Sequence, residues 1–181
     1  MSATPGVYVS TWRDGVLQVP RAWTFDFRHG LPVRHNQGRL VEAPGGSALS
    51  GQHETYGNDN HRWAMRWRHR DDRGDGEPLT LSPSGTLSVR WRAAATAEAQ
   101  ILLQCHDPLA GEFFSNLLIT TTPAIGEGWS TVHFALSHPD TPLRVATGDA
   151  FDRVLLVRAI TIMAYRAADS ELQVQELSFT P

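Results

Sequence analysis

The sequence predicts an all-β protein, a two-sheet antiparallel β-sandwich. Three observations predict it. Apolar and polar residues alternate in short runs, Gly, Pro, Asn and Asp cluster between those runs, and helical spacing of apolar residues is nearly absent. Hydrophobic residues make up 41% and charged residues 19% of the 181 positions, which excludes an extended disordered chain or a long coiled coil and suffices for one core.

The elements follow in order. The first strand is expected over Trp23–Arg28 and the second over Arg39–Ala43, closed by Pro44-Gly45-Gly46. Gly57-Asn58-Asp59-Asn60 then opens a strand at His61–Arg70, and Gly74-Asp75-Gly76 follows it. Pro83-Ser84-Gly85 turns the chain into Thr86–Ala94, with further strands at Ala99–His106 and Asn116–Thr121. Gly126-Glu127-Gly128 precedes Ser130–Leu136, Pro139-Asp140 ends it, and Val154–Tyr165 and Leu172–Thr180 complete the set. Residues 1–22 read as an N-terminal arm or linker, and residues 23–181 as the sandwich.

Composition narrows the function. All sixteen basic residues are arginine, yet the net charge is −3, which argues against a dedicated nucleic-acid binder. No run reaches the length of a membrane helix, and Met1 to Gly15 lacks the charged start and apolar stretch of a signal peptide. As written the chain reads as cytoplasmic, and as extracellular if it is a piece of a secreted protein. Cys105 stands alone on an apolar alternation, so it forms no intramolecular disulfide and is expected in the core.

Parity assigns side chains to faces, because residues i and i+2 point the same way. Leu87, Val89, Trp91 and Ala93 oppose Ser88, Arg90 and Arg92; Ala99, Ile101, Leu103 and Cys105 oppose Gln100, Leu102, Gln104 and His106. In His61–Arg70 strict alternation puts Trp63, Met65, Trp67 and His69 inside and Arg62, Ala64, Arg66, Arg68 and Arg70 outside. Four like charges on one strand face repel one another, which favours an anionic partner.

Four segments follow one another along the chain: Thr86-Leu87-Ser88-Val89-Arg90-Trp91-Arg92-Ala93, Gln100-Ile101-Leu102-Leu103-Gln104, Gly128-Trp129-Ser130-Thr131-Val132-His133-Phe134 and Val174-Gln175-Glu176-Leu177-Ser178-Phe179. Their order resembles, from about Trp23 onward, that of carbohydrate-binding modules of families 4, 9 and 22, whose fold is a galactose-binding-like jelly roll. Phe25-Asp26-Phe27 and Gly46-Ser47-Ala48-Leu49 suit the opening strands of such modules. The resemblance implies a non-catalytic domain that binds an oligo- or polysaccharide, alone or within a larger parent enzyme or assembly. It also implies a structural calcium ion between the first and last strands, but Gln175 stands where the family pattern has an aspartate, leaving Glu176 as a partial substitute.

The residues expected to bind the glycan are Arg66, Arg68, Gln104, His106, Asn116 and Tyr165. Guanidinium, amide and imidazole groups bond hydroxyls or carboxylates, and the tyrosine supplies a stacking ring. Trp129 begins a strand and is expected either to cap the core or to rim the groove. Two further chemistries are expected alternatives. The acidic loop Asp71-Asp72-Arg73-Gly74-Asp75-Gly76-Glu77 has oxygens for calcium if its turn gathers them. Gln104-Cys105-His106 has the Gln-x-His spacing of alginate-lyase-like enzymes, whose chemistry needs a tyrosine within reach of the histidine. A small-molecule enzyme and a protein-interaction domain complete the alternatives.

Overall fold

A computed structural model describes residues 11–13, 16–30, 39–56, 59–70, 78–93, 98–106, 114–124, 126, 128–148, 151–165 and 172–181. Among these residues the secondary structure is all strand. The strands are β1 (Thr11–Arg13), β2 (Val16–Gln18), β3 (Trp23–Asp26), β4 (Arg39–Ala43), β5 (Gly46–Ser50), β6 (Gln52–Tyr56), β7 (Asp59–Arg68) and β8 (Leu79–Leu81). They continue with β9 (Thr86–Ala93), β10 (Glu98–His106), β11 (Phe114–Thr121), β12 (Ser130–Ala135), β13 (Leu143–Thr147), β14 (Leu155–Tyr165) and β15 (Leu172–Thr180).

Two antiparallel sheets form the sandwich. The larger runs β13-β11-β10-β14-β7-β6, with β8 also paired to β14; the smaller runs β12-β9-β15-β5-β4, with β3 also paired to β15. β1 and β2 pair with each other. All nine expected strands are present, close to their expected bounds. Of the strands that alternation did not signal, β1, β2 and β8 have three residues each, β6 and β13 lie at the edges of the larger sheet, and β5, inside the smaller sheet, buries Ala48, Leu49 and Ser50 in succession and so shows no alternation. An edge strand is held by hydrogen bonds along one side and needs no buried face, so it leaves little apolar pattern.

The core fills the space between the sheets. β9 alternates half-buried and buried residues without a break, and Ile101, Leu103 and Cys105 of β10 are fully buried. Burial pushes the Cys105 thiol well above its usual range, so it is inert packing. The sheets meet where Phe25 of β3 sets its ring against Trp67 of β7, with centroids 5.5 Å apart at 60°. Trp23 continues the cluster by stacking on Phe179 at 5.8 Å.

Turn chemistry fixes the ends of the strands. Pro44 and Gly45 join β4 to β5, and Gly45 has φ +82°, the pattern of a type II turn with proline first and glycine second. Gly85 is required for another reason. A Cβ there would lie 2.2 Å from the Phe179 ring and 2.9 Å from the Thr180 carbonyl oxygen, so the turn before β9 can press onto β15 only without a side chain. Gly85→Ala is expected to lower stability by about 1–3 kcal/mol, the usual cost of overpacking, read as a fall in the urea midpoint at unchanged slope.

Candidate functional site

The outer face of the larger sheet gathers most of the expected residues into rows across the strands. β7 and β10 lie in one sheet with β14 between them. One row runs Arg68, Ala159, Gln104, Asn116 and Thr147; the next runs Arg66, Thr161, Leu102, Leu118 and Arg144. At roughly 4.8 Å per strand, Arg68 and Asn116 stand about 14 Å apart. The residues of β14 between them, Ala159 and Thr161, are small. The result is a shallow trough with longer polar side chains on both sides.

Arg68 and Gln104 are exposed, and Arg66, His106 and Asn116 are half-buried. Asn116 Nδ2 donates to Thr147 Oγ1 at 2.6 Å, while its Oδ1 is buried and accepts no hydrogen bond. An acceptor removed from water without a partner is costly, and a donor brought by a bound molecule would offset that cost. His106 follows Gln104 on the same outer side and pairs in register with Phe114 and Leu156.

Tyr165 is not brought to this group. It pairs with Glu98, at the other end of β10 from His106. Eight residues of strand separate those ends, about 27 Å. Tyr56 lies on β6 opposite Asp59, also away from His106, and Tyr8 lies outside the described residues. The Gln-x-His pair therefore shares a face without a described tyrosine near it.

A register shift changes the reading of β7. Met65 pairs with Ile162, but Trp63 pairs with Met163, so Ala64 is an extra residue and both Ala64 and Met65 are buried. Strict alternation places Ala64 outside; the bulge puts it in the core beside Met65, and beyond it the backbone register sets Met163 opposite Trp63 and Ala164 opposite Arg62. His69 is buried, as alternation expected, and meets Arg158 Nη1 at 3.1 Å through its Nδ1.

Arg66, Arg68 and Arg144 lie toward the end of the face that carries His106, and Glu98 lies at the other end of β10.

The calcium expectation meets a different arrangement. Asp26 and Glu176 do face each other across β3 and β15, but Arg28 Nη2 bonds Asp26 Oδ2 at 2.5 Å and Glu176 Oε2 at 3.0 Å. Gln175 accepts from Arg90 Nε at 2.8 Å and contacts the Pro44 carbonyl. These donors are taken by guanidinium groups, so they do not fit a calcium ion. Among the described residues no group of three or more His, Cys, Asp or Glu is placed to hold a metal. The acidic loop at residues 71–77 lies outside them.

No protein-family model matches the chain, and no curated protein matches it in sequence. Solved structures do match. A family 11 carbohydrate-binding module from Clostridium thermocellum, in complex with a β-1,3-1,4-mixed-linked tetrasaccharide, superposes with TM-score 0.52 at 12% identity over 88% of this chain and 86% of that one. A family 30 carbohydrate-binding module gives 0.52 at 11% identity over 87% of this chain and 98% of that one. The chain shares the jelly-roll fold of these modules. An exo-β-agarase also matches, at 0.51 and 13% identity, over 87% of this chain but 24% of that one. At such identities the likeness is one of fold. The families matched, 11 and 30, also differ from the families 4, 9 and 22 that the motifs resemble.

The internal ion pair has a pH signature. The Arg28 side chain bonding Asp26 lowers the Asp26 pKa from 3.8 to about 2. Its contribution to stability is complete above about 3.8 and is lost as pH falls toward 2. Arg28→Ala should return Asp26 to the ordinary carboxylate range and remove this part of the acid response, checked by carboxyl NMR titration and by urea midpoints between pH 7 and pH 2.5.

Proposed function

We propose that this chain is a non-catalytic glycan-binding module that holds a polar, anionic glycan in the trough of its larger sheet. The observation that carries the reading is the row Arg68, Ala159, Gln104 and Asn116, which presents a guanidinium and two amides across a small floor on four adjacent strands. The modules that share its fold, one of them bound to a tetrasaccharide, support the same reading.

Arg66 and Arg68 bond carboxylate or hydroxyl groups, and Gln104, His106 and Asn116 fix hydroxyl positions. The arginines of this face favour an acidic sugar beside them. Tyr165 serves a distant part of an extended chain, since its strand position lies far from His106.

A glycan array that includes uronate-bearing and neutral oligosaccharides, followed by calorimetry on the best ligand, tests the proposal. Arg68→Ala and His106→Ala should each weaken binding roughly tenfold or more, the usual effect of losing a charge-assisted or buried hydrogen bond, with thermal stability unchanged. Tyr165→Ala should weaken long oligosaccharides and leave short ones unaffected. Unchanged affinity in both Arg68→Ala and His106→Ala would remove this site. New absorbance at 235 nm on acidic polysaccharides would replace a binding module with a lyase.

A further inference from the structure

The outer face of the smaller sheet carries a second arrangement that the trough does not use. Arg90 and Arg92 lie two residues apart on the outer side of β9. Trp129, just before β12, lies against both, with the guanidinium carbons 5.9 and 5.3 Å from its ring centroid. Its Nε1 donates to the Pro44 carbonyl at 2.8 Å, which fixes the ring over the sheet as far as the β4–β5 turn. Trp129 therefore neither caps the core nor rims the trough.

Each arginine is oriented by one edge. Arg90 Nε donates to Gln175 Oε1, and Arg92 Nε donates to Gln173 Oε1, both at 2.8 Å. The Nη groups of Arg90 make no hydrogen bond to any described residue. Glu176 stands opposite Arg90 in register, but its carboxylate is bonded to Arg28. The exposed Arg39 continues the row of Arg92 through Gln173 and Ser50. A basic surface thus stands on a chain whose net charge is −3.

We propose that Arg90, Arg92 and Trp129 form a second carbohydrate site, specific for the carboxylate of a uronic-acid residue. The planar Nη edge of Arg90 matches a carboxylate bidentately, Arg92 adds charge beside it, and the exposed part of Trp129 receives the apolar side of the sugar ring. The glutamine bonds and the indole hold both guanidinium groups before any ligand arrives, so little side-chain entropy is lost on binding. This site is independent of the trough reading, because it lies on the other sheet.

The test is titration of the full chain with trigalacturonate, the matching neutral trigalactoside and a sulfated galactan trisaccharide. Binding is read by calorimetry and by the Trp129 indole N–H signal, assigned from its absence in Trp129→Phe. Trigalacturonate is expected to shift that signal, and the double variant Arg90→Gln with Arg92→Gln should weaken this binding event roughly tenfold or more. Arg66→Ala with Arg68→Ala should leave it unchanged, so loss of the trough and loss of this site are told apart. The proposal is overturned by an unmoved Trp129 signal in the wild-type chain, by equal affinity in the Arg90/Arg92 variant, or by a sulfated ligand that binds at least as well. The indole readout in the wild-type chain decides even if the double variant does not fold.

Discussion

Every surface feature of this molecule follows from the requirement that each sheet bury one side only. Phe25 and Trp67 meet edge to face between the sheets, and around them the alternate residues of β9, β10 and β14 close the core. A side chain's neighbour two residues along shares its fate, so filling the interior fixes which residues remain outside. Arginines at positions 66, 68, 90 and 92 are outside because Trp67, Val89 and Trp91 are inside. The polar faces are the complement of the packing.

That same rule explains what could be read from the residues and what could not. β9 and β10 kept strict alternation, and their two faces were legible residue by residue. β7 was not, because its bulge inserts Ala64 beside Met65, and two adjacent apolar residues let the alternation be phased from either one. Parity counted back from Trp67 therefore does not carry past Ala64. β14 and β15 carry shifts of the same kind at Arg158 and Gln175. Which strands neighbour one another was equally hidden, since β14 enters between β7 and β10 from far along the chain, and no local pattern records that. Tyr165 was grouped with Gln104 and His106 on face alone; the register along β14 sets it at the opposite end. The pairing of Arg28 with Asp26 was within reach, because the two lie two residues apart at the end of one strand.

The two outer faces differ in how they hold their cations. On the larger sheet Arg66 and Arg68 stand beside the small residues Thr161 and Ala159 of the next strand. On the smaller sheet Arg90 and Arg92 are fastened by glutamine oxygens and a tryptophan ring, with Arg28 consuming both nearby carboxylates. A long, flexible side chain left in water spends its charge on solvent and counter-ions, whereas one fixed by its neighbours presents a defined geometry. The first face suits an extended chain of hydroxyls, the second a single planar group.

The position of β15 bears on how the protein is made. It lies between β9 on one side and β3 and β5 on the other, so the smaller sheet has no continuous middle until residue 180 is available. Until then β5 has only β4 beside it and β9 only β12. Closure of this sheet therefore waits for its last strand and is dominated by contacts between distant parts of the chain, which makes it slow compared with folds built from local pairings.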